Sequence, residues 1–209
     1  MKLKKKVKRC LIIGSVLLVA GAGVLVYDVS FKPKTTVKKA TVLTEIKGYG
    51  YTLKSNKSKA YKKEFNNLAE LLKKDKIDEE EYAKIMSKMF IADFYSLDCA
   101  INKNDVGGTQ FVYKDYQNDF ESYAKDTVYR YVENNIYKNR KQSLPNVEKV
   151  SVSKIEQDDY ETEVASDDKA YYVTLKIAYK EDLQYPTESN LILIHSNDKL
   201  EIAAMNYEK

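Results

Sequence analysis

Residues 170–180 read AYYVTLKIAYK, and this stretch decides the fold prediction because its side chains alternate between two faces. Alternation with a period of two predicts a β-strand that places one face against a core. The predicted core face consists of Tyr171, Val173, Leu175, Ile177 and Tyr179. A single strand is not stable alone and must pair with other strands, and the sequence on both sides predicts such strands.

Shorter stretches with the same period lie on either side of this strand. Residues 147–156 predict a strand, Asp158 and Asp159 predict a turn, and residues 160–165 predict a short return strand. Residues 191–195 and 200–207 predict a final hairpin. Near the other end of the domain, residues 41–53 predict a first strand, with a bulge or bend at Gly48 where the alternation changes phase.

The middle of the chain predicts three amphipathic helices, which span residues 57–75, 78–102 and 111–139. The second helix is predicted to begin at Asp78, which forms a D-x-x-E variant of the capping box with Glu81. Its centre is apolar on most sides, so we expect it to lie between other elements. The predicted buried face of the third helix comprises Tyr113, Tyr116, Phe120, Tyr123, Ala124, Thr127 and Tyr131.

The N-terminal region predicts a membrane anchor. Residues 10–27 read CLIIGSVLLVAGAGVLVY and contain no charge, and a helix of this length spans about 27 Å of a hydrocarbon core of about 30 Å. Residues 1–9 form a basic stub that we place in the cytoplasm by the positive-inside rule, so the domain after the linker 28–41 is expected outside. A cleavable signal peptide is the alternative, because Ala20-Gly21-Ala22 is an A-x-A pattern.

The charge is divided unevenly along the chain. The formal net charge of +4 consists of +6 in residues 1–9, +3 in residues 28–47 and −5 in residues 48–209. Nucleic-acid binding requires a basic face on the folded part. The acidic balance of that part therefore predicts no nucleic-acid partner.

The order of elements predicts an α+β domain at residues 42–209, in which three helices pack on a curved antiparallel sheet. Over about residues 42–207 this order resembles the nuclear-transport-factor-2-like (cystatin-like) cone fold. The layout of stub, single span and outer domain is similar to the bitopic scaffold proteins of conjugative transfer channels. It also resembles uncharacterised Gram-positive membrane proteins that carry the segment here read as NDVGGTQFVYKDYQNDF (104–120). These resemblances imply a cell-envelope protein and carry over no catalytic residues.

Asp93 is the acidic residue that stands out. On a helical projection from Tyr82 it falls at about 20°, inside the apolar stripe, where a carboxylate must be paired, hydrogen-bonded or facing a cavity. Folds of the resembled type often hold a pocket between helix and sheet, which makes Asp93 a pocket candidate. The alternative is a structural hydrogen bond to a tyrosine hydroxyl or a backbone group.

The remaining chemistry-bearing residues predict no catalytic set, no metal and no cofactor. His195 is the single histidine, so nucleophilic catalysis would have to combine it with Cys99 or a serine. One histidine and one cysteine outside the predicted anchor are too few for a zinc site. The acids at 158–168 lack the spacing of a calcium loop and are predicted to lie in solvated turns.

Tyrosine is abundant, with 18 residues, and four of them are predicted to be exposed and to form an interaction surface: Tyr49, Tyr51, Tyr172 and Tyr185. The favoured hypothesis is a non-enzymatic extracytoplasmic scaffold that contacts the bilayer through residues 10–27 and binds a protein partner or forms a homo-oligomer. The alternative is a pocket-type small-molecule binder or enzyme that uses Asp93.

Overall fold

The computed structural model describes residues 40–205. The predicted stub, the predicted membrane helix at residues 10–27 and most of the linker 28–41 lie outside the described residues, and these remain predictions. Within the described part, no helix combines the length and the apolar character that crossing a membrane requires.

In the part of the chain that the structure describes, three helices and two antiparallel sheets build an α+β fold, as the sequence predicted at that level. The first sheet is a hairpin of β1 (Val42–Ile46) and β2 (Tyr51–Lys54). The helices are α1 (Lys59–Leu71), α2 (Glu79–Phe94) and α3 (Gln117–Asp126). The second sheet has four strands that pair in chain order: β3 (Val147–Glu161), β4 (Ser166–Tyr179), β5 (Glu188–Ser196) and β6 (Lys199–Met205).

The main core lies between the helices and one face of the four-stranded sheet. On β4 the residues Tyr171, Val173, Leu175 and Ile177 are buried as predicted, while Tyr179 is half-buried. Helix α2 is buried on most sides, also as predicted, and Asp78 caps it by accepting a hydrogen bond from Glu81 N at 3.0 Å. Burial of α2 accounts for its even distribution of apolar residues.

The predicted first strand at 41–53 is wrong, because the chain makes a hairpin at that point. Gly48 and Gly50 adopt φ angles of 85° and 71°, a region that glycine enters without steric cost. The phase change at Gly48 therefore marks a turn between two strands and not a bulge within one.

The predicted helix at 111–139 is also wrong over most of its length. Two 3-10 turns precede α3, and Thr127 ends it with a non-helical backbone. The reason is tertiary, because the buried Tyr129 uses its hydroxyl to donate to Phe94 O at 2.7 Å and to accept from Gly107 N at 2.9 Å. A continuous helix would not place Tyr129 there, and Tyr123 and Tyr131 of the predicted buried face are exposed.

The β3–β4 hairpin is longer than predicted. Asp158 and Asp159 lie within β3, and no separate strand at 160–165 exists among the described residues. The turn lies at residues 162–165, where the Thr162 hydroxyl accepts hydrogen bonds from Val164 N at 3.3 Å and Ala165 N at 3.0 Å. A register shift between Asp158 and Tyr160 absorbs the polar pair without ending the strand.

Candidate functional site

Asp93 lies at the C-terminal end of α2 in a buried ion pair. Its Oδ1 atom is 2.6 Å from Lys57 Nζ, and its Oδ2 atom accepts a hydrogen bond from Gly108 N at 2.9 Å. The Lys57 and Asp93 side chains are 8% and 6% exposed. A buried charge pair of this kind is tolerated because each charge neutralises the other and the remaining carboxylate oxygen is hydrogen-bonded.

Two glycines bring the neighbouring loop against Asp93. A Cβ atom on Gly107 would lie 2.2 Å from the Asp93 carbonyl oxygen, so only glycine fits there. Gly108 has a φ of 84°, which directs its N–H to the carboxylate. We call Lys57, Asp93, Gly107, Gly108 and Tyr129 the Asp93 cluster.

The Asp93 cluster leaves almost no free space. The cavity that Asp93 lines together with Lys57, Cys99 and Tyr129 measures about 10 Å³, which is about the size required for one water molecule. Burial, followed by the negative charge of Asp93, raises the pKa of Tyr129 well above the ordinary tyrosine value. The arrangement locks a loop to two helices and has no room for a substrate.

The predicted exposure of Tyr51 is wrong, because its side chain is only 3% exposed. Its hydroxyl lies 2.6 Å from that of Tyr82, and Lys199 Nζ lies 5.4 Å from its ring centroid. Tyr51 is the first residue of β2, and the hairpin turns its ring inwards onto α2. Burial, more than any other cause, raises the pKa of Tyr82 to about 12.

The other three tyrosines of the predicted interaction surface are half-buried. Tyr49 stacks on the buried Tyr51, with ring centroids 6.1 Å apart. Tyr172 donates a hydrogen bond to Asp159 O at 2.7 Å on the outer face of β4, while Tyr185 packs against Tyr179. These contacts place the tyrosines in different parts of the fold, and a shared binding surface built on them remains a prediction.

His195 forms a pair with Asp167, which the sequence did not indicate. Asp167 Oδ2 accepts from His195 N at 2.6 Å and lies 2.7 Å from His195 Nδ1. Burial opposes ionisation of Asp167, but these hydrogen bonds and the one from Lys169 N lower its pKa. Cys99 lines the small cavity at Asp93 and neither of the cavities that His195 lines, and burial raises the thiol pKa to about 12.

A groove of about 530 Å³ runs between α1, α2 and β3. Its apolar lining comprises Ala60, Ala92, Val150, Val152 and Ile155. Its charged lining comprises the glutamates Glu64 and Glu148 and the lysines Lys63, Lys84, Lys88, Lys149 and Lys154. We call this feature the lysine groove, and its net positive lining has the opposite sign to residues 48–209 as a whole.

The pairing of the groove lysines is incomplete. Lys88 lies 3.7 Å from Glu64 within the groove, and Lys154 is paired with Glu156 at 2.7 Å. Lys84 is paired with Glu80 on its own helix. Lys63 and Lys149 form no ion pair with another residue in the described range 40–205, so they offer their full charge to a ligand.

The lysine groove is built along a free strand edge. Among residues 40–205, β3 is the outermost strand of its sheet and pairs with β4 alone. Eight consecutive residues, 148–155, line the groove, and since side chains alternate between faces, such an unbroken run shows that the strand presents its backbone edge. An exposed edge is a template for pairing with another extended segment.

Sequence reasoning missed the lysine groove because three elements contribute to it. The available signal was weak: Lys84 and Lys88 lie one helical turn apart beside the apolar centre of α2. Nothing in the alternation of β3 indicates that it is an edge strand or that two helices lie beside it.

Fold and site together define an α+β domain with a basic groove on an open strand edge. Comparison with known proteins gave no matching family model, no similar curated protein and no similar solved structure. The resemblance to the nuclear-transport-factor-2-like fold therefore stays a prediction.

Proposed function

We propose that the chain is a non-enzymatic, membrane-anchored protein-binding module whose domain lies outside the cell membrane. Residues 10–27 hold it in the bilayer, and the lysine groove takes an extended, acidic segment of a protein. The observation that carries this proposal is the edge of β3, which pairs with no strand within residues 40–205 and lies in a groove where Lys63 and Lys149 have no ion-pair partner in that same range.

Strand addition explains how such a site binds. A partner segment pairs its backbone with the free edge of β3, which supplies affinity independently of sequence. Side chains on one face of the segment meet the apolar lining, and acidic side chains meet Lys63 and Lys149. Selectivity for acidic segments follows from charge complementarity, and the binding is expected to weaken as salt rises.

The cavity beside Asp93 is too small for the alternative function, a small-molecule pocket. A drug-sized ligand occupies roughly 300 Å³ or more, whereas the space beside Asp93 measures about 10 Å³. The carboxylate is also engaged on both oxygens.

The test is photo-crosslinking in intact source cells. A photoreactive amino acid replaces Ser153, an exposed residue that lines the lysine groove, and in a control it replaces Ala178, which is exposed on β4. A covalent protein adduct from position 153 and none from 178 supports the proposal. The adduct should decrease at least fivefold in the variant Lys63→Glu/Lys149→Glu. The absence of a protein adduct from position 153 would contradict the proposal.

A further inference from the structure

The tip of the β3–β4 hairpin is negatively charged, whereas the lining of the lysine groove has a net positive charge. Asp158, Asp159, Glu161, Glu163 and Asp168 are all exposed there. Between them lies Val164, which is 54% exposed and is one of the few large apolar side chains on the described surface. The tip therefore combines an apolar centre with an acidic surround, whereas the groove combines an apolar lining with lysines.

The turn at the tip is stabilised by hydrogen bonds within the chain. The Thr162 hydroxyl accepts from two backbone N–H groups of the turn, and Thr162 N donates to Ala165 O at 2.9 Å. The Tyr116 hydroxyl also lies 2.9 Å from the Thr162 hydroxyl. A preorganised loop loses little conformational entropy when it docks.

One chain cannot bring its own tip into its own groove. Both lie on β3, and the distance from Val150 in the groove to Glu161 at the tip is about 36 Å at a rise of about 3.3 Å per residue. The strand is paired along this length and does not fold back. The complementary surfaces are therefore free to meet only between chains.

We infer that the lysine groove binds the acidic β3–β4 tip of a second copy of this chain. The inference rests on the groove and the charge complementarity of the proposed function, and the tip docks through its side chains as a preformed turn without adding a strand to β3. Val164 of one copy packs against Val152 and Ile155 of the next, while Glu161 and Glu163 face Lys63 and Lys149. The two surfaces differ, so the contact is heterologous and joins copies head to tail into a ring or an open row.

A charge-swap experiment tests this contact. The groove variant is Lys63→Glu/Lys149→Glu and the tip variant is Glu161→Lys/Glu163→Lys, each in the full chain purified in detergent. Sedimentation velocity should show concentration-dependent association of the unaltered chain and at least tenfold weaker association of each variant alone. An equimolar mixture of the two variants, and a chain carrying all four substitutions, should associate again.

The matched control variant is Lys103→Glu/Lys180→Glu, which makes the same charge reversal at exposed lysines outside the groove. It should associate like the unaltered chain. Circular dichroism melting of every variant separates loss of association from loss of folding. Recovery by charge swap further excludes a folding defect, because two misfolded variants do not restore each other.

Three outcomes would overturn the inference. They are an unaltered chain that stays monomeric up to the millimolar range, variants that associate undiminished, and a mixture that does not recover. If position 153 crosslinks in cells to a different protein, self-docking is refuted while the proposed function stands. If it crosslinks to nothing, the proposed function itself fails.

Discussion

Replacing Lys57 by methionine is expected to be among the most damaging single changes in the domain. Methionine keeps most of the volume of the side chain and removes the positive charge that lies 2.6 Å from Asp93. The carboxylate then keeps the Gly108 N–H as its hydrogen-bond donor but has lost its counter-ion, with both side chains less than 10% exposed. Breaking a buried pair by removing one partner costs about 3–5 kcal/mol.

The measurement is urea unfolding of the full chain in detergent, followed by circular dichroism. Lys57→Met should lower the free energy of unfolding by about 4 kcal/mol. Adding Asp93→Asn should restore about 2 kcal/mol, because the amide removes the buried charge and its oxygen still accepts from Gly108 N. The matched control is Lys73→Met, whose partner Glu70 and own side chain are both exposed, with an expected cost of at most about 0.5 kcal/mol.

Two results would refute this reasoning. A cost below about 1 kcal/mol for Lys57→Met would mean that the pair behaves like a surface salt bridge. A further loss from Asp93→Asn in the Lys57→Met background would mean that the carboxylate is held by something other than the lysine. Either result would contradict the claim that the buried ion pair between Lys57 and Asp93 stabilises the fold.

Three further predictions concern Gly107, Tyr82 and Cys99. Gly107→Ala should lower the free energy of unfolding by about 3 kcal/mol, because the new Cβ meets the Asp93 backbone; a cost under about 1 kcal/mol would show that the loop shifts freely. The pKa of Tyr82 is about 12 in the folded chain and about 10 in the unfolded chain. The protonated hydroxyl therefore contributes fully to the free energy of unfolding below pH 10, and this contribution is lost as the pH rises to 12. Stability should fall less steeply over that range in Tyr82→Phe, and equal slopes would contradict the assignment. Cys99 is half-buried, and with a thiol pKa of about 12 it should resist iodoacetamide at pH 8 until urea unfolds the chain, as peptide mass spectrometry would show; rapid labelling in the folded chain would contradict the raised pKa.

The sequence predicted the elements whose signal is local. β4 follows from strict alternation, and the β5–β6 hairpin follows from two apolar stretches separated by the polar residues 196–199. The start of α2 follows from one capping residue, Asp78. These features depend on neighbours within a few positions, so reading along the chain is enough. The α+β class follows from their order.

The early end of the third helix and the missed partner of Asp93 involve residues far apart in the chain. The two hairpin errors, at Gly48 and at residues 162–165, concern local turns. The third helix ends early because Tyr129 bonds to Phe94 and Gly107, which lie 35 and 22 positions away. Periodicity placed Asp93 correctly on the buried side of α2, but Lys57 is 36 positions away, and a lysine gives no signal of burial. Tertiary contacts override local helix propensity wherever they stabilise the chain more than a further helical turn would.

The Asp93 cluster and the lysine groove are mechanically connected. Lys57 precedes α1 by two residues, and Asp93 follows Ala92, which lines the groove on α2. The ion pair therefore ties the beginning of α1 to the end of α2, and these are the two helices that form one wall of the groove. If the pair sets their relative position, Lys57→Met should weaken groove binding as well as stability, although neither charge of the pair faces the groove. A variant that loses stability yet keeps full binding would show that the wall is held by the apolar core alone, to which Phe65 of α1 and Met89 of α2 belong.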